Sequence, residues 1–166
     1  MKPEERRKVE ELKKQNEEVK AWLRRYRNAK LYARRMREEA AELISAQESV
    51  GAINYDGMPH GSAESDLSSM FAARETMREK LARAEKRMAE TYMEIVEAIH
   101  ELPSQAEIDI MSMRYIELDG FKERSMEEIA DRINYHPSRV KSLHAAALTH
   151  LAPTVLKPQE EKDDTK

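Results

Sequence analysis

The chain has 166 residues, of which 37 % are charged and 5 % aromatic, with four glycines, no cysteine and a formal net charge of −3. This composition excludes disulfides and Cys-ligated zinc, and it favours long, water-washed helices over a sheet or a thick globular core. No stretch approaches the roughly 18 apolar residues of a membrane span, and "MKPEERRKVEELKKQ" has no apolar leader core, so a soluble cytoplasmic protein without a membrane partner is expected.

In the first segment Val9, Leu12, Val19, Leu23, Tyr26, Ala33, Ala40 and Ile44 fall on one seam, interrupted by Asn16, Lys30 and Arg37. Trp22, Ala29, Met36 and Leu43 form an adjacent stripe. The pattern predicts one helix over about residues 5–47, roughly 65 Å long at 1.5 Å per residue. Lys20–Arg37 holds eight basic residues and no acid, whereas Glu101–Leu151 holds nine acids against six bases. Arg24, Arg25, Arg27, Lys30, Arg34, Arg35 and Arg37 are therefore candidate phosphate contacts. The alternative is a solvated helix face with Trp22, Tyr26 and Tyr32 in the seam.

"SVGAINYDGMPHGSAESD" ends the helix with two glycine turns and Pro59, giving a loop over 48–62. Ser62 or Ser65 offers an N-cap, and Glu64 and Asp66 suit the positive end of the next helix. Leu67, Leu81, Met88, Ile95 and Leu102 then recur at multiples of seven, with Met70, Met77, Ala84 and Ala98 in companion positions. A second helix over 63–101 follows, antiparallel to the first because the loop is short. Residues 1–102 thus read as a coiled-coil-like helical hairpin. The Trp22–Met36–Leu43 stripe and the Phe71, Tyr92 and Ile99 side are left over, which predicts a homo-oligomer, a dimer first.

Pro103 opens a C-terminal domain over 103–152. "LPSQAEIDIMSMRYIE" reads as a helix of about a dozen residues, capped at Ser104 and burying Ile108, Met111, Met113 or Tyr115. "LDGFKER" is a loop. Ser125 caps the next helix with Glu128 three positions on, a capping box. Residues 153–166, with Pro153, Pro158 and "EEKDDTK", read as a disordered tail.

Within this domain "SMEEIADRINYHPSRVKSLHAAALTHL" meets the steric mask of a helix-turn-helix. Ile129, Ala130 and Ile133 face inward, and Ala130 must be small where the second helix crosses. Asn134 sits where the chain turns with positive φ, and Tyr135, Val140 and Leu143 complete the inward set. Pro137 suits the first turn of the second helix, whose buried side is Val140, Leu143, Ala147, Leu148 and Leu151. Its outward stripe is Ser138, Arg139, Lys141, Ser142, Ala145 and Thr149, and no acid occurs from His136 to Leu151. Packed helix pairs without a DNA role also imitate such a mask. Only Arg139 suits a bidentate guanine contact.

No nucleophile stands with a base at recognisable spacing, so no enzyme and no cofactor are expected. The five histidines have no metal-ligand spacing, and His144 and His150 are expected near phosphate or solvent rather than around zinc. "YDGMPHGS" lacks the Gly-Lys-Ser/Thr ending of a phosphate loop.

The Leu102-Pro103 start, Arg114-Tyr115, Glu128-Ile129-Ala130 and the closing Ala147-Leu148 with Leu151 resemble region 4 of bacterial sigma factors. Over residues 20–151 the chain is similar to small sigma-like regulators of phages and prophages, the ArpU-type or RinA-like late regulators and a related phage family of unknown function. Leu23-Arg24-Arg25-Tyr26 and the loop Tyr55–Pro59 carry that wider likeness. The resemblance implies an all-α protein, a hairpin followed by a small three-helix sigma region 4-like helix-turn-helix domain. It implies binding of double-stranded DNA through Pro137, Ser138, Arg139, Lys141 and Ser142, with Ala145 on the same stripe, and RNA polymerase as a further partner. Three of the first five lack the Arg, Glu or Gln of the sigma module, and nothing resembles the region that melts DNA. The expectation is an accessory activator of late genes in a bacterial host. The alternatives are a small terminase-like DNA-packaging subunit, or a polymerase-binding adaptor that reads no DNA.

Overall fold

The computed structural model describes residues 3–51 and 63–156. It is all-α, with helices α1 (Pro3–Leu23), α2 (Arg25–Gly51), α3 (Ala63–His100), α4 (Gln105–Tyr115), α5 (Met126–Ile133) and α6 (Pro137–Val155). The loop signals Tyr55–Pro59, the Ser62 cap, His60 and the chain beyond Leu156 lie outside the described residues, while Ser65 falls inside α3 rather than at its cap.

The single helix expected over 5–47 is interrupted at Arg24, and its second part runs on to Gly51. Arg24 N–H still donates to Lys20 O at 3.0 Å, so the ladder holds up to the break. No proline or glycine stands there to explain it. The break falls where Leu23 enters a core and Arg24 and Arg27 reach Glu123. These are tertiary attachments that a heptad count does not contain.

Packing divides the chain into two units, Met1–Arg27 with Tyr92–Lys166, and Asn28–Thr91. This division differs from a boundary at Pro103, because α1 packs on α6. In the first unit Val19 and Leu23 of α1 are fully buried with Ile95, Ile99 and Leu102, with Met111 and Tyr115 of α4, and with Ala147, Leu148 and Leu151 of α6. Each of the valine, leucine, isoleucine and methionine side chains contributes about 1.5–3 kcal/mol when removed from water. The same seam is not closed further up α1, where Val9 and Leu12 are 42 % and 44 % exposed.

In the second unit Ala33, Met36 and Ala84 are buried, with Met77, Leu81 and Met88 packed against them. Arg37 donates to Glu85 at 2.8 Å. Leu43 and Ile44 line a groove with Phe71 and Arg74, so numbers rise on α2 as they fall on α3 and the pair is antiparallel, as expected. The apolar surplus is smaller than the sequence suggests. Met36 and Ile99 are buried and Trp22 packs against the first unit's core, whereas Phe71 and Tyr92 stay exposed.

Two local expectations in the C-terminal segment are revised. Ser104 holds the N-cap position of α4 with extended backbone, but its side chain makes no cap bond. Helix α4 buries Ile110 and Glu107 together with Met111 and Tyr115, while Ile108 and Met113 are half-buried. The tail does not begin at residue 153, since α6 continues through Pro153, and Val155 and Leu156 pack on the core. The proline sits in the last turn, where its missing N–H forfeits one ladder bond.

Candidate nucleic-acid interface

The helix-turn-helix is assembled by short-range devices. Ser125 Oγ accepts from Glu128 N–H at 3.1 Å and Glu128 Oε2 accepts from Ser125 N–H at 2.6 Å, the reciprocal cap expected for α5. The bond from the Ser125 backbone is the first cause that holds the Glu128 carboxyl below its ordinary pKa. The preceding loop turns at Gly120, φ 64°, with Asp119 and Lys122 exchanging both backbone bonds. Arg114 donates to Arg124 O at 2.6 Å and Arg124 donates to Met113 O at 3.2 Å, which pins the loop to α4.

Helices α4, α5 and α6 close over a second core of Ile110, Ile129, Ala130 and Val140, all fully buried. Met113, Ile133, Tyr135 and Leu143 pack around it. Ala130 is thus the small residue at the crossing, as its position in the mask requires. Asn134 ends α5 in the left-handed region, φ 55° and ψ 45°, and its N–H and that of Tyr135 both donate to Ala130 O. Asparagine tolerates that conformation where a β-branched residue would be strained.

Helix α6 starts with His136 at the N-cap and Pro137 in the first turn. One side of it is buried, at Val140, His144, Ala147, Leu148 and Leu151. Ser138, Arg139, Lys141, Ser142, Ala145 and Thr149 are exposed and Pro137 is half-buried, so the expected stripe lies on one outward side. Three of its members are held by neighbours. The Arg139 guanidinium lies over the Tyr135 ring, 4.4 Å from its centre. Lys141 Nζ is 2.9 Å from Glu127 of α5, and the bond from Lys141 lowers the Glu127 pKa. Ser138 Oγ lies 2.7 Å from His136 Nδ1.

The structure places His144 otherwise than the sequence suggests, whereas His150 is exposed as expected. His144 is buried, 3.1 Å from Tyr115 Oη with the two rings stacked, because α1 and α4 cover that side of α6. Burial first, then the positive charge of Arg114, pushes its pKa down to about 4, so the ring is neutral at pH 7. His150 donates to the buried carboxylate of Glu107 at 2.8 Å.

The basic run is largely engaged with carboxylates. Arg24 and Arg27 share Glu123, Arg25 pairs with Glu94, Arg34 with Glu38 and Arg37 with Glu85. Lys30 is half-buried and has an interaction of its own, and Arg35 is exposed. Most of the candidate phosphate contacts thus neutralise the protein's own acids.

No curated protein and no solved structure matches the chain. The segment that carries this helix-turn-helix, residues 98–152, matches the family model described as "Sigma-70, region 4", and is a sigma region 4-like module.

Proposed function

We propose that the protein is a phage or prophage transcriptional regulator that binds double-stranded DNA through the outward stripe of α6 and acts as an accessory activator of late genes. The observation that carries this reading is the acid-free exposed side of α6 within a segment similar to sigma region 4. Sigma region 4 domains bind DNA and RNA polymerase, and polymerase is the second partner in this proposal. Among the described residues no helix is long and apolar enough to cross a membrane. The site of action is the cytoplasm of a bacterial host, and the role is binding rather than catalysis, with no cofactor.

Selection of duplexes from a random pool tests the proposal, with binding of the enriched site then measured against salt. Replacing Arg139 and Lys141 together by Glu reverses two charges at the interface, and affinity is expected to fall at least tenfold. Undiminished binding by that variant would rule out readout through α6. Arg35, exposed on α2, is the member of the basic run best placed for phosphate. Arg35→Ala should weaken all duplexes alike and flatten the salt dependence by about one unit.

The second unit supports self-association. Ala40, Leu43, Ile44, Phe71, Met77 and Leu81 line an apolar groove of about 500 Å³, and Phe71 is 62 % exposed. Arg74, Glu75 and Arg78 on its rim carry both signs, a pattern that a second copy of the same surface complements across a two-fold axis. Sedimentation should report a dimer that Phe71→Glu converts to a monomer; a monomeric parent protein at high concentration would dismiss this assembly.

A further inference from the structure

The plainness of the α6 stripe hides a polarity. Ser138 N–H points at His136 Nδ1 at 3.3 Å, the cap bond of the helix, and a backbone N–H can only donate. His136 Nδ1 is therefore an acceptor through its one in-plane lone pair, and in the neutral ring the proton sits on Nε2. Ser138 Oγ lies 2.7 Å from the same Nδ1. With no proton on that nitrogen, the contact is a hydrogen bond only if the serine hydroxyl donates. The hydroxyl proton is thus turned back into the protein, and the exposed oxygen offers lone pairs alone.

We propose that His136 is a specificity-determining positioning residue: by holding the Ser138 proton it makes Ser138 an acceptor, which selects a base presenting an exocyclic amino group, cytosine or adenine, at one position of the site. A free serine hydroxyl reads donors and acceptors alike, because it rotates to suit either. A serine whose proton is committed discriminates against the carbonyl oxygens of guanine and thymine. Tyr135 does related work one residue earlier, since its ring holds the Arg139 guanidinium 4.4 Å from its centre. The turn that joins the two helices therefore supplies orientation to residues that are themselves permissive. The inference rests on the reading that α6 contacts DNA.

The test is duplex selection with the full-length protein, followed by competition at each enriched position. Wild type should favour cytosine or adenine at the Ser138 position by about threefold to tenfold, the worth of one net hydrogen bond. Ser138→Ala and His136→Ala should each abolish the preference at that position and leave the others. His136→Asn should restore it, because asparagine is a good N-cap and its side-chain oxygen accepts the serine proton. Restoration is a readout that loss of folding cannot imitate. If His136→Ala keeps the preference, or if guanine or thymine is favoured there, the histidine does not set the polarity although DNA binding stands. If the wild-type protein enriches no sequence, the underlying assignment of α6 to DNA fails, and this inference with it.

Discussion

A fragment consisting of residues 98–152 alone is expected to lose the cooperative unfolding transition of the full chain. The fragment contains the three helices of the module but not the elements that close its larger core. Val19 and Leu23 of α1 and Ile95 of α3 are each fully buried against residues of that segment. Without them Met111, Tyr115, Leu148 and Leu151 face water. What remains is the small core around Ile110, Ile129, Ala130 and Val140, too little for a chain of that length. Within the full chain Leu23→Ala should reduce stability by about 2–5 kcal/mol, the range for deleting a buried leucine side chain. Urea unfolding followed by the fluorescence of Trp22, the single tryptophan and packed on the same core, reads this directly. A cooperative transition for the fragment, by circular dichroism, would show α1 to be dispensable.

Loss of the Glu123 carboxylate comes next in size. Its side chain is 11 % exposed and meets three guanidinium groups, Arg24 at 2.8 Å, Arg27 at 3.3 Å and Arg114 at 3.4 Å. The bond to Glu123 is the largest cause of the raised Arg24 pKa. The Nε atoms of Arg27 and Arg114 are already buried without a partner, so little else can absorb the charge if the acid is removed. Breaking a buried ion pair from one side costs about 3–5 kcal/mol. Glu123→Ala should lie near the low end, about 3 kcal/mol, because Arg24 and Arg27 keep 34 % and 33 % of their side chains in water. The same urea titration measures it, and a loss below about 1 kcal/mol would mark the cluster as a screened surface network. Glu123→Gln should recover part of the loss through hydrogen bonding without charge.

What the sequence discloses follows from the reach of the interactions. The Ser125–Glu128 cap, the left-handed Asn134, the small Ala130 and the outward stripe of α6 are all set by residues a few positions apart, so spacing and residue type suffice to find them. The docking of α1 on α6 joins residues over a hundred positions apart, and its apolar pattern is equally that of a helix closing on α3. The burial of His144 belongs to the same class. Its place between Val140 and Leu148 on the inward side is a periodic signal, but histidine chemistry argues for solvent and only the α4 and α1 partners decide. The basic run carried half of its own explanation. The segment from Glu101 to Leu151 holds more acid than base, and Arg24 and Arg27 of the acid-free run reach it at Glu123. Charge sums show the complementarity but not which groups meet.

The packing of α1 on α6 also imposes an order on synthesis. Leu23 leaves the ribosome about 125 residues before Leu148, its neighbour in the core. At roughly 5–20 residues per second, that is an interval of about 6–25 s. In its first part α1 shows Val19, Leu23 and Trp22 to the cell, until Ile95, Ile99 and Leu102 are made, and the core stays open until α6 follows. Such long-range closure gives this helical unit the late, all-at-once completion more familiar from β-proteins. Helix α6 then becomes firm only when it meets α1.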